Sequence, residues 1–516
     1  MDSDNFKRYD MKKLIKILLD RRLIIILLLI LQAVLIAGLI LGRMSYIIPL
    51  LELLSVLVVL YVINRRDKGA YKIAWIMLML TVPVFGGLCY LVVTGPVRTG
   101  AFRRYVKQSE ENTRRYLATD PAVTESFGSV MPSYLPQARY LTSEAGAAMY
   151  DNSKTEYFSP GEAVLPLYLK ELEAATEFIF IEYFIIDSDD SIWLAILDIL
   201  RRKAAEGVDV RVMYDDMGCA STLPETYHRT LAAMGIKATV FNRFRPFISS
   251  LQNNRDHRKI TVIDGNIAFT GGMNLADEYI NRKERYGHWL DCAVSVRGEA
   301  VRSFTVMFLG LWNAVNRTEE DFSPYLKSVA KDTYKDGYII PYSDSPVDDE
   351  NVSEHIYMQI INGAKDYIYL ETPYFIIDDS MLSAFVLAAK SGVDVRIITP
   401  GIPDKHLVHM TTRSYYEVLV RAGVRVYEYT PGFVHSKLMI SDDTRAVIGT
   451  ANLDFRSLYL HYECGEVIYN SSAIDSVKRD FLTTLTKCRE ITEDDIKRNI
   501  FVRLGHSLLR IFAPLL

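Results

Sequence analysis

Cysteine is scarce in this 516-residue chain and scattered through it. Cys89, Cys219, Cys292, Cys464 and Cys488 form no C-x-x-C pair. That spacing favours neither a disulfide scaffold nor a structural zinc centre. An excess of positive charge is also missing. The 59 basic and 63 acidic residues leave a net charge of −4, whereas a nucleic-acid binder is normally basic overall. No His/Cys or carboxylate cluster stands at ligand spacing, so the sequence calls for no metal. Short-period repetition is absent too, which excludes a solenoid.

Long apolar runs are present, all near the N-terminus. Residues 23–42 carry Gln32 as their one polar interruption. Residues 46–63 are broken by Pro49 and Glu52, and residues 73–95 hold no charge. A helix needs about twenty apolar residues to cross the hydrocarbon. Two or three transmembrane helices are therefore expected within 1–95, the second run being the short one. The first run is too long for a cleaved signal peptide and lacks a small-residue cleavage pattern. Seven basic residues from Lys7 to Arg22, and the loop with Arg65, Arg66, Lys68 and Lys72, pull toward the cytoplasm. Arg98, Arg103, Arg104 and Lys107 pull against a three-span arrangement. The membrane face on which residues 96–516 lie stays open.

Beyond a basic linker, 96–135, the chain repeats itself at a period of about 180 residues, far above the 20–50 of a repeat array. "FIFIEYFIIDSDD" from Phe178 matches "YIYLETPYFIIDD" from Tyr367. Both read as buried strands. Each leads into a helical pattern that stops at a glycine, Gly207 or Gly392, and each glycine opens "GVDVR". Strand, helix, strand in that order predicts a βαβ unit in a largely parallel sheet. Two related domains are expected, 136–330 and 331–490. The tail 491–516 mixes arginines with large apolar residues, either an interfacial helix or one packed on a domain.

Later in each copy comes an octet, "HRKITVID" from His257 and "HSKLMISD" from His435. On a strand, residues i and i+2 share a face, so His257 projects with Lys259 and His435 with Lys437. Asp264 and Asp442 stand at turn signals and read first as turn residues. The returning strands end in Gly-Gly-Met-Asn and Gly-Thr-Ala-Asn. Glycines permit close approach of a ligand, and Asn274 and Asn452 offer amide donors. Two histidines, two lysines and two asparagines meeting across a pseudo-twofold cleft would suit a phosphoryl group. Lysines and amides stabilise its oxygens, one histidine attacks phosphorus, and the other protonates the leaving oxygen.

The paired H-x-K-x4-D motifs, each followed by Gly-Gly or Gly-Thr and an Asn, resemble the phospholipase D superfamily. "TPYFIIDD", "RSYYEVLVRAGVRVYEY", "GFVHSKLMISD", "GTANLDFRS" and "AWIMLMLTVPVFGGLCYLVV" are similar to its bacterial cardiolipin synthases. The resemblance covers the chain from about residue 70. It implies two α/β/α domains sharing a central cleft, preceded by membrane helices, in a multi-pass protein of the bacterial plasma membrane. It implies His257, Lys259, Asp264, His435, Lys437 and Asp442 as the catalytic set, with Asn274 and Asn452 binding phosphate. His257 is implied as the nucleophile and His435 as the acid–base group. Chemical symmetry leaves the reverse open. Gly272 and Thr450 occupy positions where the superfamily often has serine. Asp291 in "HWLDCAV" and Glu463 in "HYECGEV" are assigned as the acidic residue that orients each copy's histidine.

The implied reaction joins two phosphatidylglycerol molecules into cardiolipin and glycerol. It exchanges one phosphodiester for another, so no nucleotide or other cofactor is needed. The apolar stretch 241–251, just before the first octet, could help exclude water or be a core strand and loop. Two alternatives remain open at this level. One is a phosphodiesterase releasing phosphatidic acid or cutting nucleic acid. The other is a membrane scaffold with a dead duplicated domain, which the completeness of both octets opposes.

Overall fold

The computed structural model describes residues 30, 47–65, 68–94, 100–243, 253–348, 350–497 and 499–515. Apart from Ile30, the apolar run 23–42 lies outside them, as does 244–251 of the stretch before the first octet. The chain forms two compact units. One comprises Met1–Ala101, Phe244–Asn254 and Leu508–Leu516, the other Phe102–Arg243 and Arg255–Ser507.

In the first unit, helices α1 (Ile47–Asn64), α2 (Gly69–Thr81) and α3 (Pro83–Thr94) pack together. Their core is Val58, Val62, Trp75, Met79 and Tyr90. The uncharged run 73–95 is therefore not one span, as its length suggested. It breaks at Val82, because Pro83 has no N–H to give a continuing helix and its ring would clash with the preceding turn. Gly86 lets α2 and α3 meet closely. A Cβ there would come within 2.7 Å of the Leu78 carbonyl oxygen and Met79 Cα. Among the described residues no helix is long and apolar enough to cross a membrane. Leu53, Val56, Leu57, Leu60, Ile63, Ile73 and Leu80 are nonetheless exposed.

The second unit begins within helix α4 (Gly100–Thr113). Residues 96–135, expected to be a linker, include this helix and another at Pro121–Val130, and they bury Val106 and Phe127. Strands follow in the order β1 (Ser153–Phe158), β2 (Phe178–Tyr183), β3 (Asp209–Asp215), β4 (Lys237–Phe241), β5 (Lys259–Ile263), β6 (Ile267–Gly271), β7 (His288–Leu290) and β8 (Ala293–Gly298). Helix α5 (Ser191–Ala205) crosses from β2 to β3, and α6 (Val301–Asn316) follows β8. The second half supplies β9 (Tyr338–Asp344), β10 (Tyr367–Glu371), β11 (Phe375–Ile376), helix α7 (Asp379–Lys390), β12 (Asp394–Pro400), β13 (Arg425–Tyr429), β14 (Gly432–Val434), β15 (Leu438–Ser441), β16 (Arg445–Gly449), β17 (Leu453–Asp454), β18 (Glu463–Tyr469), α8 (Ser472–Leu485) and β19 (Cys488–Glu490). Helix α9 (Ile500–Phe512) closes the chain.

The first sheet runs β1-β8-β6-β5-β2-β3-β4, the second β19-β13-β12-β10-β15-β16-β18-β9. In each, three strands joined through helices are parallel, β2-β3-β4 and β10-β12-β13. Every other pairing in these two sheets is antiparallel. The sheets are therefore mixed rather than largely parallel. Each octet strand returns through a tight turn, and a hairpin can only pair antiparallel. One continuous apolar core joins the halves. It includes Phe180, Val262 and Val294 of the first sheet, Leu438, Ile440 and Ile448 of the second, and Phe304, Phe308 and Phe481 from α6 and α8. The helix α6 is buried on nearly all sides, packing on β5 and β6 and touching β9.

Candidate active site

Lys259 begins β5 and pairs with Tyr183 of central β2. Lys437 sits just before β15, where its carbonyl accepts from Gly449 N of β16. Both lysines are 1 % exposed and both octet histidines 7 %. Each lysine ammonium donates to the carbonyl of its own histidine. Each octet is thus tied to the middle of its sheet, with the charged head bent over the histidine that precedes it.

The histidines are held by the opposite halves. Strand β14 pairs parallel with β7, aligning Val434 with Leu290. The next residue, His435, donates its N–H to the Leu290 carbonyl at 2.7 Å. This sets His435 Nδ1 2.7 Å from Asp291 Oδ2. The counterpart is a parallel bridge between Asp256 and Tyr462. His257 N–H donates to the Tyr462 carbonyl at 2.9 Å, and Tyr462 N–H donates to the Arg255 carbonyl at 2.8 Å. There His257 Nδ1 lies 2.9 and 3.0 Å from the two Glu463 oxygens. Asp291 and Glu463 do meet histidines, but each meets the histidine of the other copy, not its own.

Gly272 and Thr450 complete these contacts differently. A Cβ on Gly272 would fall 2.0 Å from Asp291 Oδ1, so the carboxylate occupies the space of a side chain. Thr450 Oγ1 donates to Glu463 Oε2. Asn274 is 1 % exposed, and its Oδ1 accepts from Ile185 N at 3.1 Å. Asn452 is nearly as buried, and its Oδ1 has no partner. His435 packs against Tyr279 and Trp289, with ring centroids 5.3 Å away in both cases. His257 packs against Phe184 at 5.0 Å and His461 at 5.6 Å.

Burial shapes the electrostatics. It pushes His257 down to about 3 against the pull of Glu463, and His435 down to about 4 with help from Lys437. It brings Lys259 to about 8 and Lys437 to about 7. Burial alone would raise Asp291 and Glu463, but the facing histidines hold both below the usual carboxylate range. With an ionised carboxylate at Nδ1, each neutral imidazole carries its proton there and leaves Nε2 as a bare lone pair.

Asp264 and Asp442 lie elsewhere. Asp264 follows β5, five residues beyond Lys259, or about 16 Å along an extended strand. Its carboxylate accepts the N–H groups of Thr176, Glu177 and Phe178, all at 2.8 Å. Asp442 accepts those of Lys365, Asp366 and Tyr367 at 2.9–3.0 Å. Both backbones are left-handed, φ 51° and 56°. Asp264 Oδ2 also accepts from the Thr176 hydroxyl at 3.1 Å. They fasten the loop entering the central strand, which fits their reading as turn residues.

The family model for the cardiolipin synthase, PLD-like domain matches residues 168–312 and 357–485. The chain belongs to the cardiolipin synthases of the phospholipase D superfamily. A second model, the phospholipase D-nuclease N-terminal region, matches residues 53–93. A cardiolipin synthase of Halalkalibacterium halodurans is 33 % identical over 93 % of this chain and 95 % of its own. An uncharacterised protein of Streptococcus mutans is 43 % identical over 89 % of this chain and 99 % of its own. Among solved structures, the phosphatidylserine synthase of Haemophilus influenzae shares the fold. It has a TM-score of 0.51 at 16 % identity, covering 70 % of this chain and 93 % of that one.

Sequence reasoning missed His461. It stands two residues before Glu463, where the first half has Trp289 two before Asp291. Its proximity to His257 arises only when Tyr462 bridges to the other half. The one available signal was the mismatch between "HWLD" and "HYE" at otherwise matching places.

Proposed function

We propose that the chain transfers a phosphatidyl group from one phosphatidylglycerol to another, giving cardiolipin and glycerol through a phosphatidyl-histidine intermediate. The observation that carries this reading is the reciprocal pairing of each octet histidine with a buried carboxylate of the opposite half. Such pairing supplies two oriented Nε2 atoms, as an in-line double displacement requires.

His257 Nε2 attacks phosphorus, and the P–O bond to glycerol breaks. As the anionic phosphodiester binds and raises its proton affinity, His435 takes up a proton from solvent at Nε2, and the departing oxygen receives it. A second phosphatidylglycerol then enters. His435 removes the proton of its glycerol hydroxyl, the oxygen attacks phosphorus, and the P–N bond to His257 breaks. Lys259, Lys437, Asn274 and Asn452 hold the non-bridging oxygens. Apolar packing around the histidines keeps water from competing with the second alcohol.

We further propose that the first unit associates with a bilayer. Its exposed Leu53, Leu57, Leu60 and Leu80, and the apolar run 23–42, support that placement. Supplying the purified chain with phosphatidylglycerol and separating the products tests the reaction. Cardiolipin and glycerol in equal amounts are expected. Phosphatidic acid as the main product would make it a hydrolase, and no turnover with an intact fold would make it a scaffold.

A further inference from the structure

His461 gives the His257 side a neighbour that the His435 side lacks. At the matching place the first half carries Trp289, whose indole cannot ligate a metal. His461 Nδ1 lies 3.7 Å from Glu463 Oε1, its side chain is 11 % exposed, and that nitrogen has no hydrogen-bond partner. One donor atom from each of His257, His461 and Glu463 lies within 4.8 Å of the others. Two imidazoles and a carboxylate are a familiar ligand set for zinc, with bonds of about 2.0–2.2 Å. Tetrahedral ligands at that length stand roughly 3.3 Å apart, so the three side chains need close by at most about 1.5 Å.

We propose that His257, His461 and Glu463 form a binding site for zinc or a similar divalent transition ion, and that occupancy shuts the enzyme off. The site lies on one half only, since Trp289 denies it to His435. A buried, unpartnered imidazole nitrogen is costly for a fold to keep, and an ion would satisfy it together with Glu463. Inhibition follows from the His257 tautomer and rests on the reading of His257 as nucleophile. In the resting site Nδ1 holds the proton and Nε2 the lone pair. When the ion takes the Nδ1 lone pair, the proton moves to Nε2, and the atom that would attack phosphorus has no electrons to offer. No proton is gained or lost in that exchange. Lys259 and Lys437 repel any arriving cation, so binding is weaker than at a dedicated structural zinc centre and reversible by a chelator.

The test has two independent readouts on the 516-residue chain. Zinc is titrated against a competing fluorescent chelator, with no lipid present, for the native chain and for His461→Asn and His461→Trp. The tryptophan variant installs what the first half already accommodates. Each variant must keep the native near-ultraviolet circular dichroism. One zinc per chain is expected for the native protein, with affinity at least tenfold weaker in both variants. Phosphatidyl transfer is then followed against zinc, each variant scaled to its own zinc-free rate. The concentration giving half inhibition should rise at least tenfold in both, and a chelator should restore native activity. Zinc affinity unchanged in both variants, or no zinc bound by the native chain, would overturn the site. Zinc bound at this site without loss of turnover would overturn its inhibitory role and count against His257 as nucleophile, while leaving the binding site standing.

Discussion

Gly272 and Thr450 stand at matching places beside the two orienting carboxylates, and each fits its own partner. Asp291 Oδ1 fills the space where a Gly272 side chain would begin, while Glu463 receives the Thr450 hydroxyl. In Gly272→Ala the methyl group must push Asp291 off His435. Turnover should fall about 100-fold, the usual scale for losing a positioned acid–base group. Thr450→Val removes one hydrogen bond to a charged acceptor, about 1.5–3 kcal/mol, or roughly 10–100-fold in rate if felt wholly in the transition state. Thr450→Ser should recover most of it. Steady-state kinetics on folded protein check both; a Gly272→Ala enzyme of native rate would show that Asp291 does not need its present position.

Among the elements, the turns after the octet strands separate structure from chemistry. Asp264 and Asp442 each hold three backbone N–H groups of the loop before the central strand. Asp264→Ala should therefore lower stability by about 2–3 kcal/mol and leave turnover of the folded enzyme within a fewfold. Thermal unfolding and kinetics on one preparation decide it. An unchanged melting temperature with abolished turnover would return Asp264 to the chemistry. The hairpins around these turns were legible, since Asp-Gly between two apolar runs signals reversal. The proportion of parallel pairing was not, because the βαβ pattern was extended to strands that have no crossover helix. The expectation of a span over 73–95 rested on its uncharged length alone and took no account of Pro83, which breaks a helix.

At the scale of the whole molecule, the halves are bound through polar groups as well as the shared apolar core. Thr155 Oγ1 of β1 donates to Glu466 Oε1 of β18 at 2.9 Å. Burial pushes Glu466 from 4.5 up to about 8. Folding thus favours its protonated form. Its stabilising contribution is whole below about pH 4.5 and is lost as pH rises through about 8. Glu466→Gln keeps the acceptor for Thr155 and has no proton to lose, so its denaturant midpoint should decline less between pH 5 and 9. A decline equal to the native one would show that Glu466 does not link the halves to pH.

The duplication and both His-Lys pairs could be read from one sequence, because the octets repeat with the same internal spacing, whereas Asp291 and Glu463 stand at unequal distances from their octets and were assigned through the resemblance. Which carboxylate serves which histidine could not. That depends on β7 meeting β14 and on Asp256 meeting Tyr462, contacts between residues some 140–210 positions apart. His461 was hidden for the same reason.

The central claim is that the crossed pairs make one site whose histidines act at different steps. It is tested most directly by mass spectrometry of the octet peptides after exposure to a phosphatidyl ester with a nitrophenol leaving group. Such a group departs without a proton, so His435→Ala should still load its His257 peptide, and the adduct should persist because no base activates the incoming alcohol. His257→Ala should carry no adduct. An adduct on His435 in the His257→Ala protein, with none on His257 in the other, would contradict the account.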